Sequence, residues 1–170
     1  MKNLIQNLIT VFLLMTAFVS FSQEGEERDG EYLVPETTAA KLSWIIPAEG
    51  FIPGTGFTGY FHAMTQTSIV LTNIKDANYI NMKRGMDDEF FRENNLVKLG
   101  EFEVECNNGM KGYGYIASFE LDGKLMIRHM VFVGNLNQTL WLNTTAREEY
   151  YELVSKELFE MYKTADLSRN

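Results

Sequence analysis

Apolar and polar residues alternate most clearly in the second half of the chain. Glu101-Phe102-Glu103-Val104-Glu105-Cys106 sets Phe102, Val104 and Cys106 on one side and three glutamates on the other, the period of a half-buried strand. Asn107-Asn108-Gly109 breaks the alternation as a turn. Met110–Leu121 resumes it, with Tyr113, Tyr115, Ala117 and Phe119 on one face. Asp122-Gly123 is a two-residue hairpin signal, because both positions tolerate positive φ. Lys124–Val133 follows, and Gly134-Asn135-Leu136-Asn137 turns the chain into a fourth strand, Gln138–Asn143. The third of these strands is apolar on both sides: Leu125, Ile127, Val131 and Val133 face one way, Met126, Met130 and Phe132 the other. A strand of that kind must be covered on both faces.

The period then changes to that of a helix. Thr145 and Glu148 have the spacing of a capping box, and Tyr150, Val154, Leu158, Met161 and Tyr162 form an apolar stripe to about Lys163. A shorter helical stretch is predicted between Asp76 and Asn94, broken at Gly85, with Asp87, Asp88 and Glu89 complementing the positive end of the helix that begins there. Upstream, Lys41–Ile46, Phe57–Ala63 and Thr67–Ile74 read as strands that complete the sheet. The fold class that satisfies this pattern is α/β of the α+β type, an α/β/α sandwich whose antiparallel meander sheet carries helices on both faces.

The N-terminus reads as an address. Lys2 supplies a short positive segment, Leu8–Val19 is an apolar run without charge, and Ser20-Phe21-Ser22 places small residues before a cut between Ser22 and Gln23. The apolar run is shorter than the roughly 20 residues that span hydrocarbon, so residues 1–22 are expected to be a cleaved signal peptide with no stable membrane insertion afterwards. No cysteine lies near the cut to carry a lipid anchor. Residues 23–40 hold Glu24, Glu26, Glu27, Asp29, Glu31 and Glu36 against Arg28 alone, an acidic leader that buries too little apolar surface to order itself. The folded domain is expected over 41–166, with 167–170 as a tail, in a soluble protein of the periplasm or the exterior.

The order of elements over 41–166 resembles the PsbP-like fold family, which has small exported bacterial members. The matching features are Pro47-Ala48-Glu49-Gly50-Phe51 after a first strand and the Asn108-Gly109-Met110-Lys111-Gly112 hairpin. A long strand ending Val131-Phe132-Val133-Gly134, then a short strand and a closing amphipathic helix, also match. The resemblance implies an α/β/α sandwich that serves as a non-catalytic binding or assembly module. Fold analogy does not name a partner.

Composition narrows the chemistry further. A net charge of -8 over 170 residues disfavours a nucleic-acid partner, which needs a basic surface to release counterions, and disfavours anionic lipid for the same reason. One cysteine excludes an intrachain disulfide and a Cys-based zinc cluster. Gly54-Thr55-Gly56-Phe57-Thr58-Gly59 matches the dinucleotide fingerprint G-x-G-x-x-G, but Tyr60-Phe61-His62-Ala63 continues as a strand where that fingerprint needs a helix. His62 and His129 have no second ligand at i+2 or i+4, and Cys106 is expected buried and protonated. No catalytic residue, metal ligand or cofactor is therefore assigned. Phe51, Phe57, Tyr60 and Phe61 crowd the Gly-rich loop and are the candidate contact residues for an unidentified protein or small-ligand partner outside the cytoplasm. Two other functions remain open. One is a small secreted hydrolase using convergent residues such as His62, His129 and carboxylates, and the other is a carrier of an apolar ligand.

Overall fold

The alternating segments of the second half pair with one another, and the rest of the sheet is added to them on one side. The structure, a computed structural model, describes residues 44–169; the signal peptide and the acidic leader expected from the sequence lie outside them. The elements in chain order are β1 (Phe51–Pro53), β2 (Gly59–His62), β3 (Thr67–Lys75), α1 (Tyr79–Arg84), α2 (Asp88–Glu93), β4 (Val97–Glu105), β5 (Lys111–Leu121), β6 (Lys124–Gly134), β7 (Gln138–Arg147) and α3 (Glu148–Lys163). All strands pair antiparallel in one sheet of order β1-β2-β3-β7-β6-β5-β4. The meander β4–β7 is built on the turns read from the sequence. Asp122 and Gly123 both take positive φ, 51° and 71°, as the two-residue hairpin requires.

Because strand side chains alternate, each row of register partners lies on one face. On the first face, Ile69, Leu71, Val104, Val131, Val133, Leu140 and Leu142 pack with Val154, Leu158, Met161 and Tyr162 of α3 in one buried cluster. Burying each of these aliphatic side chains stabilises by about 1.5–3 kcal/mol before entropy is counted. Gly114 of β5 belongs here. A Cβ at Gly114 would collide with the ring of Phe102, so the missing side chain lets that ring lie flat on the sheet. On the second face, Met82 of α1 and Phe90 and Phe91 of α2 are buried. The Tyr115 hydroxyl donates to the Lys83 carbonyl at 3.0 Å, and the Lys83 ammonium sits 3.5 Å from the centre of the Tyr113 ring. Helices therefore cover both faces of β6, whose central residues Met130, Val131, Phe132 and Val133 are fully buried.

The structure departs from the sequence reading at two places in particular. Trp44–Ile46 form a turn and bend rather than a strand, with the Trp44 carbonyl accepting from the Asp166 amide at 2.8 Å and the Ile46 amide donating to the Thr164 hydroxyl at 2.7 Å. Two backbone groups of this segment are thus bonded to residues just past α3 and not to a neighbouring strand. Strand β7 runs four residues beyond Asn143, and the capping box at Thr145 is not formed; Arg147 precedes α3 without a side-chain cap. Thr145 instead pairs with Ser68 on one side and Arg128 on the other. Two ladders offer its backbone more than one cap bond can. The stretch Asp76–Asn94 is broken at Gly85 into two helices, as the sequence suggests, and the second has the expected acidic start, with the Asp87 carboxylate accepting from the Phe90 amide at 3.0 Å.

Candidate functional site

The four aromatic residues singled out from the sequence divide between the core and its rim. Phe51 and Tyr60 are buried, 7% and 6% exposed, in the cluster under α3. Phe57 and Phe61 are half-buried. Register explains the split: Tyr60 pairs with Ile69 on the first face, whereas Phe61 pairs with Ser68 and Ile52 on the second. The Gly-rich loop is closed by a bond from the Gly54 amide to the Gly59 carbonyl at 2.9 Å, and β2, not a helix, follows it. Gly59 holds φ at 151° and presses against the Ile69 carbonyl, a contact that no Cβ permits. The last glycine of the fingerprint thus serves strand packing.

The histidines are held apart. His62 lies on β2, with Nδ1 2.8 Å from the Thr65 hydroxyl, and β3 and β7 separate it from His129 on β6. His129 is 1% exposed beneath α3, Nδ1 3.0 Å from the Tyr162 hydroxyl and Nε2 2.9 Å from the Tyr151 hydroxyl. Thr144 extends the chain of bonds to Tyr162 at 2.8 Å. A neutral imidazole has one donor and one acceptor, which two hydroxyls satisfy. Burial pushes the His129 pKa down to about 4 and that of Tyr162 upward. These groups form a packed polar lock, and they do not supply the converging histidines of the hydrolase reading. Among the described residues no group of three or more His, Cys, Asp or Glu gathers to hold a metal ion.

Cys106 is 3% exposed, its thiol 3.6 Å from the Tyr162 carbonyl, and burial, with a smaller contribution from Asp166, pushes its pKa up to about 11. The folded protein is expected to resist thiol reagents at neutral pH and to react once unfolded. Stoichiometric labelling of the native chain within minutes would overturn this placement.

The second face holds polar groups that the sequence reading passed over. Arg128 is 5% exposed and Asn143 3% exposed, on adjacent strands. Arg128 pairs with Thr145, Asn143 pairs with Met130 and Val70, and the two side chains are diagonal neighbours on one face. The Arg128 Nε and both polar atoms of the Asn143 side chain are buried without a hydrogen-bond partner. The Arg128 guanidinium lies 4.3 Å from the centre of the Phe119 ring, and burial lowers its pKa to about 10, which leaves it charged at neutral pH. Helices α1 and α2 engage Tyr113 and Tyr115, opposite Phe132 and Met130, whereas Arg128 sits further along, opposite Ala117. Ser68, Val70 and Thr72 of β3 are half-exposed on this face, and Ile52 at its edge is 57% exposed. One signal was available in the sequence: Arg128 is the only charge between Leu125 and Val133, inside a strand that must be buried on both sides.

No protein-family model matches the chain, and comparison with curated protein sequences likewise gives no match. Solved structures similar to it include LpqN of Mycobacterium tuberculosis, described as involved in cell envelope biogenesis, at 13% identity and a TM-score of 0.55, covering 70% of this chain and 79% of LpqN. They also include PA94 of Pseudomonas aeruginosa, a putative regulator of unknown function, at 12% identity and 0.48, covering 68% of this chain and 78% of that one. PsbP of the cyanobacterium Synechocystis follows at 9% identity and 0.42, with 71% and 78% covered. LpqN carries the likeness, and what this chain shares with it is the fold alone.

Proposed function

We propose that this chain is an exported, non-catalytic binding or assembly-accessory domain. The observation that carries the reading is the β1–β2 end of the sheet, where the ladder and its flanking turns present apolar residues to solvent: Ile52 is 57% exposed and Met64 87%, beside half-buried Phe57 and Phe61. Two groups able to do chemistry are instead consumed by packing, His129 locked between two tyrosines and Cys106 held as a buried thiol. LpqN, of the same fold, is described as acting in cell envelope biogenesis, which supports a place outside the cytoplasm beside the apolar run and small-residue cut at the N-terminus. Phe57 and Phe61 are the contact residues in this reading, and Phe51 and Tyr60 fix the strands that carry them. The exported protein is expected to begin at Gln23 by intact mass. Cross-linking in the native envelope followed by affinity capture should recover one dominant partner with the wild-type chain. The double variant Phe57→Ala/Phe61→Ala should lose it with little change in melting temperature. Retention of the partner by that variant would remove the surface from consideration.

A further inference from the structure

A charged side chain that gives up water without gaining an opposite charge is costly, and such a group persists where something else completes it. Arg128 is in that position. Strands β3, β6 and β7 contain no Asp or Glu, and Glu120 of neighbouring β5 pairs with Leu125 and so lies on the other face. Its aromatic contact with Phe119 offsets part of the charge but accepts no hydrogen bond in the ring plane, and Nε is left without one. Asn143, one diagonal step away, leaves a donor and an acceptor unpaired in the same place.

We propose that Arg128 and Asn143 form the head of a binding site for a carboxylate on an apolar body, such as a fatty acid. The planar guanidinium receives a carboxylate through parallel N–H bonds, and the Asn143 amide nitrogen donates a further one. Charge selects a monoanion, because one buried guanidinium balances one carboxylate and a phosphate dianion would leave a charge uncompensated. The second arginine of this face, Arg147, is already paired with Glu149 at 3.2 Å. The apolar body would lie along half-exposed Val70, Ser68 and Thr72 on the same face, with Met130 and Trp141 buried beneath it beside Asn143. The site does not use Phe57 or Phe61, so it stands or falls separately from the partner surface.

The test is calorimetric titration of the purified chain with dodecanoate, dodecanol and dodecyl phosphate, each below its micelle concentration. Dodecanoate should bind, and the alcohol and the phosphate should bind at least tenfold more weakly. Arg128→Met should abolish dodecanoate binding while the ligand-free melting temperature stays equal to wild type or rises, since the variant removes a buried unpaired charge. Arg128→Lys keeps the charge but loses the fork, and should weaken binding at least tenfold. Lys124→Gln, an exposed cation on the same strand, should change nothing. Equal binding of dodecanol, or no binding of dodecanoate at millimolar concentration, overturns the site. So does a lowered melting temperature or failure to fold in Arg128→Met, which would make Arg128 a structural residue. None of these outcomes bears on capture of a partner through Phe57 and Phe61.

Discussion

Replacing Phe51 with alanine is expected to cost about 3–5 kcal/mol of folding stability, the range for deleting a buried phenyl ring and leaving its cavity. Phe51 lies in the three-residue strand β1 and is 7% exposed in the cluster under α3, with its ring centre 5.1 Å from that of His62. So short a strand has a ladder of only three register pairs, and Phe51 is its one buried side chain. Loss of the ring removes apolar area and loosens the pairing of Ile52 with Phe61 as well. Phe61→Ala is expected to cost much less, because that ring is half-buried on the other face. Urea unfolding of the two variants side by side checks this. A Phe51→Ala chain as stable as wild type would show that the ring is a contact anchor and not a core residue.

Acid is expected to weaken the protein through His129. Its folded-state pKa is about 4, against about 6.5 for an unfolded histidine. Above pH 6.5 both states are neutral and the network with Tyr151, Tyr162 and Thr144 contributes in full. As the pH falls from 6.5 towards 4, the unfolded chain takes up a proton that the folded chain refuses, so stability drops, by roughly 3 kcal/mol at the lower end. Among the described residues its ring contacts are Phe102, Phe159, Tyr151 and Tyr162, none of them a carboxylate that would oppose this. Equilibrium unfolding at a series of pH values should show the decline already between pH 6.5 and 5, above the carboxylate range. His129→Gln, less stable at neutral pH, should show a flatter curve there. An equal slope in both proteins would assign the decline to other groups.

Much of the sheet was legible because its strands are regular. The alternation of Phe102, Val104 and Cys106, the Asp122-Gly123 turn and the double apolar character of Leu125–Val133 each reflect one local rule, and each is realised. What misled was local chemistry overridden by distant pairing. Thr145 has a capping side chain, but its backbone is claimed by Ser68 and Arg128, neither of which is near it in sequence. Likewise Phe51 and Tyr60 sit beside loop glycines, and only the register with Ile69 and His62 shows that they point into the core. The polar site was illegible for a related reason. Arg128 and Asn143 become neighbours only through the β6–β7 register, and an unpaired polar atom is a property of three-dimensional surroundings.

The sheet order has a kinetic consequence. Strands β4 to β7 form by successive hairpins, and β1 to β3 do the same, so each half closes only short loops. The two halves meet in the sheet solely where β3 pairs with β7, joining Ser68 to Thr145 and Lys75 to Gln138 across the whole intervening chain. That closure carries the largest entropic cost in the sheet and forms late, since distant contacts return nothing until the loop is shut. Unfolding that begins by separating the halves would begin along this seam, and Val70 paired with Asn143 lies in the middle of it. A molecule seated over that pair would act as a staple across the slowest join in the protein, lengthening its native lifetime more than it speeds its folding.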